Sequence, residues 1–247
     1  LFGEHFVVHG TKAILAAVDK RVTVTSTITK KPTLKINSQL GTFEIPMYGP
    51  SGDVRKDGVN IEMLSHQIPP TKSEDFAKSA YFDSFKNEFI PFVYLVAKLS
   101  NITKTTNMPP MLLDPDGLEI TIDSDIPIGV GLGSSSACCV AAAASLYALF
   151  HEKTGSYTWS YLTKKYSFQI DENETKFILS LAKEAERTIF PDSSGADCTV
   201  CTYGGMIEHP SIEKIDSTFD LNLLIANSMI PHSTKNSVEK VSKFKEN

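Results

Sequence analysis

Three glycines and three serines are concentrated in one short segment, Pro127-Ile-Gly-Val-Gly-Leu-Gly-Ser-Ser-Ser-Ala137. Glycine allows positive φ angles and places no Cβ between the backbone N–H groups and an anion. The alanine-rich run that follows favours a helix, whose N-terminal N–H groups and partial positive charge attract phosphate. The segment therefore predicts a phosphate-binding loop, for which a plain strand-to-helix turn is the alternative. Because no lysine follows the last glycine, it is not a Walker A loop.

Two acidic residues further along the chain could supply the rest of a phosphoryl-transfer site. Residues 173–189 repeat apolar side chains at helical spacing, and Glu186 lies at the edge of that stripe, where a carboxylate needs a basic partner or a cation. Asp197 ends a polar turn before a segment that reads as a strand, so an Asx turn or cap is its alternative role. A phosphate loop, a nearby hydroxyl and two acids are the parts that a phosphoryl transferase requires.

The elements that must position these residues can be predicted from periodicity. Residues 20–28 alternate threonine with other side chains at a two-residue period, which indicates a strand. Further strands are predicted over residues 33–38, 42–46, 118–124, 199–208 and 221–227. Helices are predicted after Ser73, from Pro91 to Leu99, over residues 137–150, 158–168 and 173–189, and from Thr234. Strands and helices are mixed without strict βαβ alternation, so the predicted fold class is α+β.

Composition excludes several classes of function. The 247 residues are 41% hydrophobic and 21% charged, which is typical of a globular chain. A net charge of -5 argues against a nucleic-acid partner. No apolar run reaches transmembrane length, so we predict no membrane partner and a cytoplasmic protein.

Four cysteines stand as a neighbouring pair, Cys138 and Cys139, and as the separated pair Cys198 and Cys201. The second pair has the spacing of metal ligands, but no second pair of that kind and no spaced histidine pair accompanies it. We therefore interpret the cysteines as reduced thiols that serve as small apolar residues, with metal binding by the second pair as the alternative.

Several motifs together resemble a known family. The first ten residues, Leu-Phe-Gly-Glu-His-Phe-Val-Val-His-Gly, resemble the first motif of the mevalonate kinases in the GHMP small-molecule kinase family, and residues 127–137 resemble that family's ATP loop. Glu186-Arg-Thr-Ile, followed by Ser194-Gly-Ala-Asp197 and Thr202-Tyr-Gly-Gly205, resembles the segment that bears a metal-binding glutamate and the catalytic aspartate. Ile230-Pro-His-Ser-Thr234 resembles the stretch before a C-terminal helix.

This resemblance implies a two-lobed α+β kinase that uses ATP and Mg²⁺ to phosphorylate the 5-hydroxyl of mevalonate. It implies an N-terminal lobe over residues 1–190 and the start of a C-terminal lobe over residues 191–247. By the same resemblance, Asp197 is the base, and Ser135 and Glu186 are the Mg²⁺ ligands. The implied ATP-binding residues are Gly129, Val130, Gly131, Leu132, Gly133, Ser134 and Ser135. The implied substrate contacts are Glu4, His5 and Tyr203.

The resemblance also leaves alternatives open. The family's catalytic lysine would stand three residues before Leu1 and its last glycine-rich motif after Asn247, so we expect this sequence to be part of a longer protein. One alternative is another GHMP kinase that acts on a sugar, homoserine or phosphomevalonate, although residues 6–9 (Phe-Val-Val-His) argue against the sugar kinases. The other is a non-catalytic metabolite sensor, against which the intact residues Ser135, Glu186 and Asp197 argue. The sequence leaves the oligomeric state open, a homodimer included.

Overall fold

The computed structural model describes residues 12–46, 87–105, 117–127, 131–153 and 170–215. These residues form the strands β1 (Ala13–Ala16), β2 (Val22–Thr29), β3 (Thr33–Ser38), β4 (Gly41–Pro46), β5 (Gly117–Ser124), β6 (Met206–His209) and β7 (Glu213–Lys214), and the helices α1 (Ile90–Thr105), α2 (Ser134–Lys153), α3 (Glu172–Arg187) and α4 (Ala196–Tyr203). A 3₁₀ turn, Asn87–Phe89, precedes α1. The helices predicted after Ser73, over residues 158–168 and from Thr234, and the strand over residues 221–227, lie outside the described residues.

Four strands form the main sheet in the order β2-β5-β3-β4. The β2 strand runs antiparallel to β5, with Val24 opposite Ile122, and β3 runs parallel to β5, with Ile36 opposite Ile120. In β2 the three threonines from 23 to 27 are exposed and the residues between them are half-buried, as the two-residue period predicts. The strands predicted over residues 20–28, 33–38, 42–46 and 118–124 are confirmed.

Three helices pack together next to this sheet. Helix α2 packs on β2, α1 and α3, and α1 is buried on every side from Ile90 to Ala97. Pro91 lies in the first turn of α1, where its missing N–H needs no helical partner. Side chains from sheet and helices meet in one core, whose fully buried members include Leu34, Ile36, Leu95, Leu118, Ile120, Leu146 and Leu181. The helices predicted over residues 91–99, 137–150 and 173–189 are confirmed.

Helix α3 is fixed at its start and along its length. Asp171 and Glu174 form a capping box, in which each side chain accepts a hydrogen bond of 2.8 Å from the other's backbone N–H. The Tyr94 hydroxyl of α1 donates to Glu184 of α3 at 2.5 Å, and the Tyr147 hydroxyl of α2 donates to Glu174 at 3.0 Å. These contacts fix the position of α3 relative to α1 and α2. Glu186 lies on the buried side of α3.

The prediction of a strand over residues 199–208 is wrong in its first half. Residues 196–203 form α4, and only Met206–His209 form a strand, β6, which runs antiparallel to β1. Thr199 and Val200 are β-branched, and the segment's apolar character favours a strand locally. The helix forms because both residues pack inward, and the Thr199 N–H donates to the Gly195 carbonyl at 3.0 Å. Asp197 therefore lies in the first turn of a helix, not before a strand.

A smaller apolar cluster joins α4 to the second sheet, which has the strand order β1-β6-β7. Its members are Ala13, Leu15, Ala196, Val200 and Ile207. Within the described residues, no helix is both long and apolar enough to cross a membrane.

Leu146 provides a test of the main core, because its side chain is fully buried between α2 and its neighbours. We expect Leu146→Ala to lower the free energy of unfolding by about 2–5 kcal/mol, since the lost transfer energy and the cavity add. Chemical denaturation monitored by circular dichroism measures the change. Leu40→Ala is the control, because Leu40 is 39% exposed, and equal losses in the two variants would contradict the assigned core.

Candidate functional site

The glycine-rich loop enters α2 with the backbone that its glycines predict. Gly131 and Gly133 have φ angles of +76° and +69°, in the left-handed region that other residues rarely adopt. The Ala137 N–H donates to the Gly133 carbonyl at 2.9 Å and closes the first turn of α2. The N-terminus of a 20-residue helix thus faces the end of the loop. Gly129 and Val130 lie outside the described residues, and so do Glu4 and His5.

The loop passes directly beside Asp197. A Cβ placed on Gly133 would lie 3.4 Å from both Cβ and Cγ of Asp197, so the Asp197 side chain lies next to the loop at this position. Asp197 itself is exposed in the first turn of α4. The structure therefore brings together the candidate phosphate loop and the candidate base, which are more than sixty positions apart in the sequence.

Glu186 lies deeper in the same region, with a relative exposure of only 5%. Its Oε1 accepts a short hydrogen bond from the Ser136 hydroxyl, and its Oε2 accepts one of 2.5 Å from the Ser193 hydroxyl. The Cys198 thiol, 3.6 Å from Oε2, is a third and weaker donor. Within the described residues no ion pair supplies a basic partner for this carboxylate. Hydroxyl and thiol donors therefore compensate for its burial.

The α2 serine that donates to Glu186 is Ser136, and the role of Ser135 as a Mg²⁺ ligand stays a prediction. In the part of the chain that the structure describes, Ser134 and Ser135 are half-buried and neither donates to Glu186. The helical period could have revealed that Ser136 faces inward. It lies in line with three buried residues of α2 at intervals of three and four, Cys139, Ala143 and Leu146. Ser193 carries no comparable signal, since it lies in a polar turn. Its contact with Glu186 depends on how that turn folds back over the end of α3.

The cysteines surround this carboxylate as neutral thiols. All four are free, and Cys139 and Cys198 are buried, as expected for small apolar residues. Burial and the nearby Glu186 carboxylate raise the pKa of both buried thiols well above its ordinary value. Burial raises the pKa of Cys138 to about 11. The thiols therefore remain protonated at neutral pH, and Cys198 can act as a donor.

Behind the turn, Lys183 and His209 pack against α4. A Cβ on Gly195 would come within 2.6 Å of the Lys183 Cε, and Gly195 has a φ angle of +71°, so both space and backbone favour glycine there. Burial lowers the pKa of Lys183. His209 is buried, and among the residues that the structure describes its Nδ1 has no hydrogen-bond partner. Burial, and secondarily the charge of Lys183, lowers the pKa of His209.

Tyr203, the remaining described candidate, is the last residue of α4. It follows Asp197 by six positions, which turns it about 240° around the helix axis. Its half-buried ring packs against the main core. Tyr203 and Asp197 therefore point in different directions, and Tyr203 as a substrate contact stays a prediction.

The donor set suits a magnesium ion that is shared with a nucleotide. In the described residues, no group of three or more histidine, cysteine, aspartate or glutamate side chains is arranged to hold a metal. Mg²⁺ in kinase sites is bound by one or two carboxylates together with substrate phosphates and water. A carboxylate offers about four lone-pair positions, and the three donors on Glu186 leave room for one further interaction.

The chain is similar to known proteins in sequence and in fold. Residues 93–205, which contain Glu186, Asp197 and the described part of the loop, match the sequence family GHMP kinases N terminal domain. Proteins with similar sequences include mevalonate kinases from Arabidopsis thaliana, 30% identical over 254 residues, and from Mus musculus, 28% identical over 244 residues. These alignments cover 98% and 95% of the chain but only 63% and 58% of the relatives, so the chain spans about three fifths of their length.

Solved structures show the same fold. The Methanococcus jannaschii mevalonate kinase superposes with a TM-score of 0.52 at 22% identity, covering 87% of this chain and 52% of that one. The L. major mevalonate kinase in complex with R-mevalonate has a TM-score of 0.52 at 21% identity, covering 99% and 58%. The α+β class and the GHMP kinase fold predicted from the sequence are confirmed.

His209 predicts a pH dependence of stability. Its folded-state pKa lies below the ordinary value of 6.5, so the unfolded chain takes up a proton near pH 6.5 that the folded chain does not. Stability from this residue is therefore complete above pH 6.5 and falls as the pH drops towards the folded-state pKa. We expect His209→Gln to make the free energy of unfolding, measured by urea denaturation, less steep in pH between 6.5 and 5. The difference in the free energy of unfolding between wild type and His209→Gln at pH 8 gives the stability that is lost through packing alone. Parallel pH profiles of the two proteins would contradict the assignment of this pH dependence to His209.

Proposed function

We propose that the protein to which this chain belongs phosphorylates the 5-hydroxyl of mevalonate, with ATP and Mg²⁺ as cosubstrate and metal. The observation that supports the proposal is the position of Asp197 next to Gly133, near the buried Glu186. A candidate phosphate loop, a candidate base and a candidate metal-binding carboxylate thus lie in one region. The mevalonate kinase relatives, which align with nearly the whole chain, supply the substrate class.

In this proposal the loop binds the phosphates of ATP. The ATP-binding residues are Gly129, Val130, Gly131, Leu132, Gly133, Ser134 and Ser135. The left-handed glycines leave the backbone N–H groups open to an anion, and the N-terminus of α2 adds a partial positive charge. Positioning and electrostatic stabilisation are the main contributions that a protein makes to phosphoryl transfer.

Asp197 is proposed to accept the proton of the substrate hydroxyl. Its exposed position on α4 leaves the carboxylate accessible to a substrate, and its side chain lies next to the loop at Gly133. Glu186 and Ser135 are proposed to hold Mg²⁺, which neutralises charge on the phosphates when bound. Ser135 belongs to the first turn of α2, next to the Ser136 that already contacts Glu186.

The remaining predictions about this protein are kept as proposals. Glu4, His5 and Tyr203 are the proposed substrate contacts. The division into an N-terminal lobe over residues 1–190 and the start of a C-terminal lobe over residues 191–247 is likewise proposed. So is the cytoplasmic location, while the oligomeric state, a homodimer included, stays open.

The role of Asp197 can be tested by removing its charge in the full-length protein. We expect Asp197→Asn to lower mevalonate-dependent ADP formation by at least about 10²-fold, the usual contribution of a positioned base, while binding of an ATP analogue is retained. Coupled ADP release and fluorescence titration measure the two quantities. Asp192→Asn is the matched control, because Asp192 is an exposed acid of the preceding turn, and its activity should not change.

Two results would contradict the proposed function. The first is a wild-type protein that releases no ADP in response to mevalonate but does so with homoserine, phosphomevalonate or a sugar. The second is a full-length protein that binds ATP and turns over none of these substrates, which would indicate a sensor.

A further inference from the structure

We propose that Ser136 and Ser193 are positioning residues, which together hold the Glu186 carboxylate in the orientation that binds the metal. The inference rests on the proposed function, because it takes Glu186 as the Mg²⁺ ligand. Its basis is the contact pattern: Ser136 donates to Oε1, and Ser193 donates to Oε2 at 2.5 Å. We call these two serines with Glu186 the carboxylate clamp.

The clamp fixes the plane of the carboxylate. A single donor would leave the group free to rotate about its last torsion, which is broad in glutamate. One hydroxyl on each oxygen removes that freedom, and the Cys198 thiol supports Oε2 from the side of α4. With a relative exposure of 5%, Glu186 has little water to replace these donors. The orientation of its free lone pairs is therefore set by the two serines.

The clamp also couples the parts of the site. Ser136 lies three residues after Gly133 in the first turn of α2, Ser193 lies in the turn between α3 and α4, and Cys198 adjoins Asp197. The donors thus come from the same segments that carry the phosphate loop and the base. A change in the position of the Glu186 carboxylate would alter its distance to the phosphate loop and to Asp197.

A purely structural role is the competing explanation, since any buried carboxylate needs donors. The two roles differ in what they predict. If the serines only offset burial, their removal lowers thermal stability and leaves metal binding unchanged. If they position the carboxylate, their removal weakens metal binding in the folded protein, because groups that orient metal ligands typically contribute 10–100-fold to metal affinity.

The experiment measures metal affinity directly. Mn²⁺ replaces Mg²⁺, and its binding to the full-length protein with a non-hydrolysable ATP analogue is followed by electron paramagnetic resonance. We expect Ser136→Ala and Ser193→Ala each to weaken Mn²⁺ binding about 10-fold or more, and Ser193→Thr, which keeps the hydroxyl, to restore it. Ser145→Ala is the control, because Ser145 is a half-buried serine of the same helix as Ser136 and its hydroxyl donates to the Ser26 hydroxyl at 2.9 Å, away from Glu186.

The outcomes separate this inference from the proposed function. Mn²⁺ affinities of both alanine variants equal to that of Ser145→Ala would overturn the clamp, even in an active kinase. Weakened binding in both variants supports the clamp even if mevalonate proves not to be the substrate. Unchanged Mn²⁺ binding in Glu186→Gln would overturn the metal role of Glu186 and the clamp with it. If Ser136→Ala does not fold, Ser193→Ala decides alone, because Ser193 is only half-buried.

Discussion

The buried carboxylate of Glu186 is the interaction on which the arrangement of the site depends. A charged group removed from water must find donors, and each hydrogen bond to such a group contributes about 1.5–3 kcal/mol. Its donors come from the start of α2, the turn after α3 and the first turn of α4. The capping box and the tyrosine contacts of α3 fix where the carboxylate lies. The need to satisfy one carboxylate therefore ties three segments to one point.

Close backbone packing is the second constraint. Gly195 allows the turn to pass over the stem of Lys183, because a Cβ there would come within 2.6 Å of the Lys183 Cε. At Gly133 a Cβ would lie 3.4 Å from Asp197, so this acid is a near neighbour of the loop. Both glycines have positive φ angles, so a side chain at either position would meet backbone strain. The loop and both candidate acids thus lie in one region of the fold. The sheet and the apolar core beneath it give these segments a rigid support.

Much of the fold could be predicted from the sequence because its strands and helices have clear periods. The alternation in β2 and the apolar stripe of α3 each match the observed burial. Residues 199–203 of α4 fall within a predicted strand, because Thr199 and Val200 have β-branched side chains. The helix that they help to form has only eight residues. In so short an element, packing against β1 and α2 outweighs local propensity.

The sequence by itself indicated the candidate phosphate loop, the candidate acids and the family that they resemble, since these depend on residue types at fixed spacing along the chain. It also placed Glu186 at the edge of the apolar stripe of its helix, because that follows from the helical period alone. Only the tertiary structure decided that Glu186 is buried, that Ser136 and Ser193 contact it and that Asp197 lies next to Gly133. The physical reason is that such contacts depend on how helices cross and turns fold back, which no local period encodes.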